Sequence, residues 1–380
     1  MKKTIGLLLL LSMLFTALFT SCGGDYPPVE STREEATVLF SIDVGGDSYE
    51  VKYELYRAFF LTYRSEVDGG DSSVWSGADK AEYVARINEM ILPKIANIYA
   101  TINLAEKIGV DFSSRDVEDT VDEFIEISVE GGVYNGEVVE GYGSYDDYLA
   151  ALKAENLNYS VQVLLYHYAI AQSAISEYYI GTLNEDNFTP DATLGHLEYT
   201  RDDVKAFYDS DECVRVLRAF IQYPKKDSVE DFVKAVEEAE NKAASVRRKM
   251  LDADDTNAVS LVIINNTFVS HTEAFSGMVI GTYSLDANNY SELTEVAFEL
   301  GVGEVSRVLK IMTGDENGYH ILYRAEKSNS HFNDNYVSIL DAYLNQKIGQ
   351  MINERVVDLL SNVEYRSAYD SLDFGAISMN

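Results

Sequence analysis

Two long stripes of apolar residues at helical spacing, one near each end of the chain, most restrict the folds open to it. The first runs from Val84 to Ala105 and the second from Tyr336 to Leu360, the second over about seven turns. A helix with such a stripe must pack it against other elements to remove it from water. Only five Pro occur in 380 residues, so little interrupts helices. The chain is therefore predicted to be mainly helical.

The composition excludes several classes of protein. Hydrophobic residues make up 46% of the chain, which is enough to build a core and excludes a disordered polyanion. The net charge of −33, from 30 Lys+Arg and 63 Asp+Glu, predicts no nucleic-acid partner because the protein repels phosphate. Two Cys exclude a disulfide framework and a cysteine-rich metal site. Length alone predicts two or three domains.

The histidines indicate no metal chemistry. His167, His196 and His331 are scattered and lack the spacing of metal ligands. No Gly-x-Ser-x-Gly elbow is present, so a serine hydrolase has no visible nucleophile. We expect neither a metal nor a cofactor.

The N-terminus reads as an export signal. Lys2 and Lys3 precede an apolar run from Ile5 to Phe19, and small residues lead to Cys22, as in a secretory signal. The Cys after small residues looks like a bacterial lipobox, which predicts a lipoprotein signal at 1–21, lipidation of Cys22 and a tether at 22–36. The alternative is an ordinary secretory peptide with an incidental Cys. Either way, the protein is expected outside the cytoplasm, and the lipid would anchor it in a bacterial cell envelope.

The first half of the chain predicts a hairpin followed by helices. Thr37–Val44 and Ser48–Lys52 alternate apolar and polar residues around Gly45-Gly46. Helices are then predicted from Leu55 on, over 78–108, after a cap at Ser113 or Ser114, after a cap at Ser144, over 158–180 and over 198–210. Residues 130–142 are expected to be a glycine-rich loop, and residues 181–193 a linker.

The order of four short motifs in this half resembles a known family. They are Glu106–Val110, Ser113–Val117, Ser144–Leu149 and Asp202–Tyr208. Together they look like the N-terminal region of extracytoplasmic foldases of the PrsA/SurA kind, which implies a helical chaperone domain.

The second half resembles a parvulin, the small isomerase domain of those foldases. Val214–Ile221 is similar to its first strand, Phe298–Ser306 to a helix and turn, and Gly318–Ile321 to its closing strand. The resemblance implies an α+β protein: a mainly helical chaperone domain at 37–210, a small inserted parvulin-like α/β domain at 211–327, and a C-terminal helix within 328–380 that packs back on the N-terminal domain.

The parvulin resemblance implies a prolyl site. Such a site has an apolar pocket above two mutually hydrogen-bonded His. His320 falls on the second His, Arg218 on the first, and His271 on a position that commonly holds Cys or Asp. The expected substrate-binding residues are Ile280, Asn289, Leu293, Phe298 and Asn317. Arg218 cannot accept a hydrogen bond, so a degraded site is expected and isomerase activity is left open. Alternatively, His320 is a strand residue kept for packing.

Two functions of different class follow from these features. The first is a membrane-anchored folding factor that binds unfolded or newly secreted chains, with peptidyl-prolyl isomerase activity left open. The second is a non-catalytic surface lipoprotein that serves as a binding or envelope-assembly scaffold. Both functions are compatible with an anchor through the N-terminal lipid. Both also leave open whether the protein forms a homodimer.

Overall fold

The computed structural model describes residues 26–134, 137–181, 195–224, 229–267, 269–283, 291–311 and 317–379. The predicted signal, Cys22, Asn289 and most of the predicted linker therefore lie outside the described residues. The chain divides into two compact units. We call residues 26–178 with 351–379 the helical unit, and residues 179–350 the sheet unit. The fold is α+β and mainly helical, as predicted. No described helix is both long and apolar enough to cross a membrane.

The helical unit begins with strands and continues with helices. Its elements up to residue 178 are β1 (Val38–Val44), β2 (Asp47–Lys52), α1 (Tyr53–Asp68), α2 (Lys80–Lys107), α3 (Arg115–Glu130), β3 (Gly132–Tyr134), β4 (Glu137–Val139), α4 (Tyr145–Ala154) and most of α5 (Tyr159–Tyr179).

The sheet unit follows, and the chain then returns to the helical unit. The elements of the sheet unit are α6 (Arg201–Asp209), β5 (Cys213–Gln222), α7 (Val229–Leu251), α8 (Thr256–Asn266), α9 (His271–Ser276), β6 (Met278–Gly281), α10 (Ser291–Glu299), β7 (Leu309–Ile311), β8 (Gly318–Ala325) and α11 (Asn329–Asp334). Helix α12 (Tyr336–Ser361) spans the division at residue 350, and β9 (Val363–Tyr365) and α13 (Ser367–Asp370) complete the helical unit.

Local sequence signals explain the predicted helices of the helical unit. The stripe of α2 is buried, with Ile87, Ile91 and Ile95 at most 1% exposed, and Pro93 lies inside this helix without ending it. Ser114 caps α3 and Ser144 caps α4, each accepting a hydrogen bond from a backbone amide three residues on. These predictions are confirmed.

The sheet of the helical unit has one strand that was not predicted. The hairpin of β1 and β2 is antiparallel, as expected. On the other side of β1 lies β9, which pairs Phe40 with Tyr365 and Ile42 with Val363. The sheet order is therefore β2-β1-β9, and it joins the start of the described chain to its end.

The region predicted to be a loop at 130–142 contains an antiparallel hairpin instead. Strands β3 and β4 pair Gly132 with Val139 and Val133 with Val138. Its sequence signal is Asn135-Gly136, the dipeptide most typical of a tight hairpin turn. At the base of the hairpin the backbones of Gly131 and Gly141 approach closely. A Cβ on Gly141 would lie 2.2 Å from the backbone nitrogen of Gly131, so a residue with a side chain does not fit there.

Residues 26–36, which we call the N-terminal strap, were expected to be a tether but pack against the helical unit. Glu35 accepts a hydrogen bond from Arg57 of α1 at 2.7 Å. Glu54 of α1 is 3% exposed and accepts from Ser31 at 2.5 Å and from Asn158 at 2.8 Å. These buried polar groups satisfy one another, so the strap belongs to the folded unit.

The sheet unit is built on four antiparallel strands in the order β6-β5-β8-β7. Strand β5 pairs with β8 from Arg215 opposite Ala325 to Gln222 opposite Gly318. Each face of the sheet is covered by its own core. One core contains Leu217, Ala219 and Ile221 with side chains of α7 and α8. The other contains Val214 and Val216 with side chains of α10.

The strap generates a prediction about stability and pH. Burial by itself raises the pKa of Glu35, but the Thr32 amide and the Arg57 guanidinium outweigh it and lower that pKa from 4.5 to about 2. A carboxyl with a lowered folded pKa adds stability above its unfolded pKa and loses it as pH falls through the folded value. We expect Glu35→Gln to reduce the free energy of unfolding by about 1–2 kcal/mol at neutral pH.

The difference between Glu35→Gln and wild type should vanish as pH falls from 4.5 toward about 2. Urea unfolding at neutral and at acidic pH measures it. Glu34→Gln, the same change at the exposed neighbouring residue, is the control and should cost less than about 0.5 kcal/mol. Equal losses in the two variants would contradict the role given to the Glu35–Arg57 pair.

Candidate functional site

The predicted site lies on the face of the sheet that α10 covers. Side chains alternate along a strand, so Arg218 and Phe220 of β5 share this face, and His320 and Leu322 of β8 share it with them. We call this the α10 face. The antiparallel register, rather than proximity in sequence, brings these side chains together.

His320 is in the middle of this face and is fully buried, with 0% exposure. It pairs with Phe220 on one side and with Leu309 on the other. The rings of Phe220 and His320 lie 4.8 Å apart between centroids. A phenyl ring neither donates nor accepts an ordinary hydrogen bond, so the neighbour that packs on His320 from β5 cannot act as the first His of a prolyl site.

Arg218 does not occupy the position directly across from His320. It pairs with Leu322, two residues further along the ladder, and its guanidinium lies 5.7 Å from the centroid of the Phe220 ring. Its Nη2 donates to Glu273 of α9 at 2.9 Å, and the Arg218 side chain is only 10% exposed. Arg218 is therefore held in a largely buried ion pair that the sequence did not predict.

His271 is the first residue of α9 and is exposed. Its ring stacks on Phe275 of the same helix at 4.7 Å between centroids. Glu273, two residues later, makes the ion pair with Arg218. Thus α9 does contribute to the α10 face, but through Glu273 rather than through the predicted His271.

The predicted substrate-binding residues form part of a packed core. Leu293 is 2% exposed, and Phe298 and Ile280 pack against the same cluster. Asn317 lies just before β8, where its carbonyl accepts a hydrogen bond from the Tyr223 amide at 2.8 Å. Asn289 lies outside the described residues. The three apolar residues fill the space between α10 and the sheet.

Gly318 is the sequence feature that indicates where the Phe220 ring packs. A Cβ at Gly318 would lie 2.4 Å from the carbonyl oxygen of Ile221 and 2.7 Å from the Phe220 ring. Only glycine lets the Phe220 ring approach the start of β8 this closely. Sequence reasoning used the Gly-Tyr-His motif to place His320 and missed what its glycine implies about Phe220.

A second buried histidine, His331 of α11, makes structural contacts. Its Nδ1 lies 2.8 Å from the Tyr208 hydroxyl and its Nε2 2.7 Å from the Ser276 carbonyl oxygen. Burial and the nearby Arg215 lower the pKa of His331 to about 4. The imidazole is therefore neutral at pH 7, with Nε2 donating to Ser276 and Nδ1 accepting from Tyr208. Within the described ranges, no group of three or more His, Cys, Asp or Glu is placed to hold a metal ion.

The solved structures similar to this chain include two of PrsA. One is the crystal structure of PrsA from Bacillus subtilis, 15% identical over 74% of this chain and 87% of that chain, with a TM-score of 0.25. The other is foldase protein PrsA from Streptococcus pneumoniae, 14% identical over 86% of this chain and 93% of that chain, with a TM-score of 0.23. No family model and no curated protein matches. At these TM-scores the likenesses carry no argument about function, which must come from the chain's own residues.

The Arg218–Glu273 pair generates a second prediction. Glu273→Gln keeps the size of the side chain but removes the carboxylate that pairs with the mostly buried Arg218 guanidinium. We expect a loss of about 1–3 kcal/mol in the free energy of unfolding of the sheet unit. Hydrogen exchange of the β5 amides measures this loss for the sheet unit in the full chain.

The control is Glu292→Gln, which breaks the pair with Arg307. The Arg307 side chain is 65% exposed and the Glu292 side chain is 44% exposed. Pairs this exposed contribute little, so we expect a change of less than about 0.5 kcal/mol. If both variants destabilised β5 equally, the claim that burial makes the Arg218–Glu273 pair matter would be wrong.

Proposed function

We propose that this protein is an extracytoplasmic folding factor that binds unfolded or newly secreted chains without efficient prolyl isomerase activity. The observation against efficient isomerase activity is the packing of Phe220 on the fully buried His320. The proposal that the protein binds unfolded chains is supported by the mainly helical α+β architecture and by the resemblance of the ordered motifs to extracytoplasmic foldases. In this proposal the sheet unit is a binding module.

The described residues of this face argue against prolyl isomerisation. Rotation of a peptide bond has a barrier of about 18–20 kcal/mol, and a catalyst must bind the twisted amide better than the planar forms. Binding needs an open apolar pocket with polar groups at its floor. Here Leu293 fills the space above the sheet, and the floor pairs an imidazole with a phenyl ring.

The charge of the protein favours a particular kind of client. With a net charge of −33, the surface attracts basic segments and repels other acidic proteins. Unfolded chains also expose apolar side chains. The described part of the sheet unit presents single exposed apolar residues as contacts for them, namely Val233, Leu251, Leu261, Tyr283, Val302 and Val337.

Anchoring is the second part of the proposal. Lysines 2 and 3, the apolar run to Phe19 and Cys22 match a lipoprotein signal. We propose that Cys22 carries the lipid and that the protein works on the outer side of a bacterial membrane. We expect the wild-type N-terminal peptide to begin at Cys22 and to carry the mass of a lipid, and Cys22→Ser to carry none. An unmodified wild-type N-terminus in mass spectrometry would contradict the lipid anchor.

The decisive experiment separates catalysis from binding. The protein from Gly23 on is added to a client whose refolding is limited by a cis-Pro bond, and to a second client that aggregates on dilution from denaturant. His320→Ala and Phe220→His are assayed beside the wild type. We expect no acceleration of the proline-limited phase by the wild type or by His320→Ala, and clear suppression of aggregation by both.

Two results would change the proposal, and one would support its account of Phe220. Acceleration by the wild type that is lost in His320→Ala would establish a working prolyl site. Acceleration only in Phe220→His would show that Phe220 is what prevents catalysis. If the wild type neither accelerated refolding nor suppressed aggregation, the scaffold function would replace the folding factor.

A further inference from the structure

The N-terminal strap enters the helical unit at one defined end. The Tyr26 hydroxyl donates to Glu130, the last residue of α3. The Tyr26 ring lies 5.4 Å from the ring of Tyr145 at the start of α4, and the Tyr145 hydroxyl donates to the Pro27 carbonyl at 2.8 Å. These contacts with two helices fix the place where the chain enters the unit.

The β3–β4 hairpin leaves the helical unit at the same end. Strand β3 begins two residues after Glu130. The base of the hairpin is bound to α3, because the Tyr142 amide donates to Ser128 at 2.9 Å and the Gly143 amide donates to Val129 at 2.8 Å. The hairpin and the entry point of the chain are therefore held side by side.

The hairpin carries an exposed apolar pair. Val133 and Val138 lie directly opposite each other in the register and are 61% and 81% exposed. Within the described part of the chain, β3 and β4 form a sheet of two strands. A hairpin with two exposed valines on one face is suited to a surface that removes them from water.

We propose that this end of the helical unit lies against the bilayer, with the β3–β4 hairpin at the lipid surface. The inference rests on the proposed lipidation of Cys22. Only Gly23, Gly24 and Asp25 separate that residue from Tyr26. Four residue steps of at most about 3.5 Å hold Tyr26 within about 14 Å of the lipidated residue. Because the strap is fixed to the unit, this end cannot turn away from the membrane.

The charges at this end select the kind of lipid. Glu126 and Glu130 lie in the last turns of α3, and Glu140 follows the hairpin. Anionic headgroups repel these carboxylates within about a Debye length of ~10 Å at moderate salt. We therefore expect contact with zwitterionic vesicles, weaker contact with vesicles rich in phosphatidylglycerol, and partial recovery when salt is added.

The test uses the full-length lipidated protein in phosphatidylcholine vesicles that contain a headgroup nitroxide lipid. An environment-sensitive fluorophore is attached at Val138→Cys, or at Arg115→Cys as the control. Arg115 is 88% exposed and begins α3, so helical rise places it about 22 Å from Glu130. Cys213 does not compete for the label, because it is fully buried and burial raises its pKa to about 12.

We expect the label at position 138 to shift to shorter wavelength and to be quenched by the nitroxide lipid, and the label at position 115 to do neither. Adding Val133→Ser to the protein labelled at 138 should reduce the quenching. Adding Val357→Ser, at an equally accessible valine of the helical unit that is 56% exposed, should leave the quenching unchanged.

Mass spectrometry of the N-terminal peptide separates the possible failures. If Cys22 carries the lipid but position 138 is not quenched, or is quenched no more than position 115, the docking is wrong and the anchor stands. Quenching that depends on protein density rather than on nitroxide lipid would assign the valine pair to a second copy and overturn the proposal. An unmodified Cys22 would overturn the anchor and the docking together, while the aggregation assay would still test the folding factor.

Discussion

The long antiparallel ladder between β5 and β8 is the constraint on which the sheet unit depends. Its register runs from Arg215 opposite Ala325 to Gln222 opposite Gly318. Because neighbouring residues point to opposite faces, this single register assigns every side chain of both strands to one core or the other. A slip of β5 by one residue would turn its side chains to the opposite faces. It would move Arg218 into the α7–α8 core and would bring Leu217, Ala219 and Ile221 under α10.

The same register decides the chemistry of the α10 face. It places Phe220 rather than Arg218 against His320 and leaves Arg218 to pair with Glu273. The His320 imidazole packs on the Phe220 ring, whereas the ion pair connects α9 to β5. The face therefore has the arrangement of side chains expected of a structural core, with polar groups held in specific contacts.

Local signals account for what could be predicted from the sequence. The stripe of α2 and the caps at Ser114 and Ser144 depend on residues a few positions apart, so their helices were predictable. The resemblance of Val214–Ile221 to a parvulin strand placed Arg218 in the site, but Phe220 lies on the same face, and only the pairing with β8 distinguishes the two. Strand β9 is three residues long and is defined by its partner β1, so no local pattern could reveal it.

Several tyrosines lie in the core, with Tyr56, Tyr148 and Tyr208 fully buried.

The pairing of β9 with β1 also governs the order in which the protein matures. Residues 363–365 complete a sheet that begins at residue 38, so the sheet of the helical unit cannot close until residue 365 has been synthesised. The sheet unit is contiguous in sequence and can fold as soon as residue 350 has been synthesised, because domains fold as units during synthesis. A truncation before Val363 would then leave the sheet unit complete in sequence and the helical unit without its third strand.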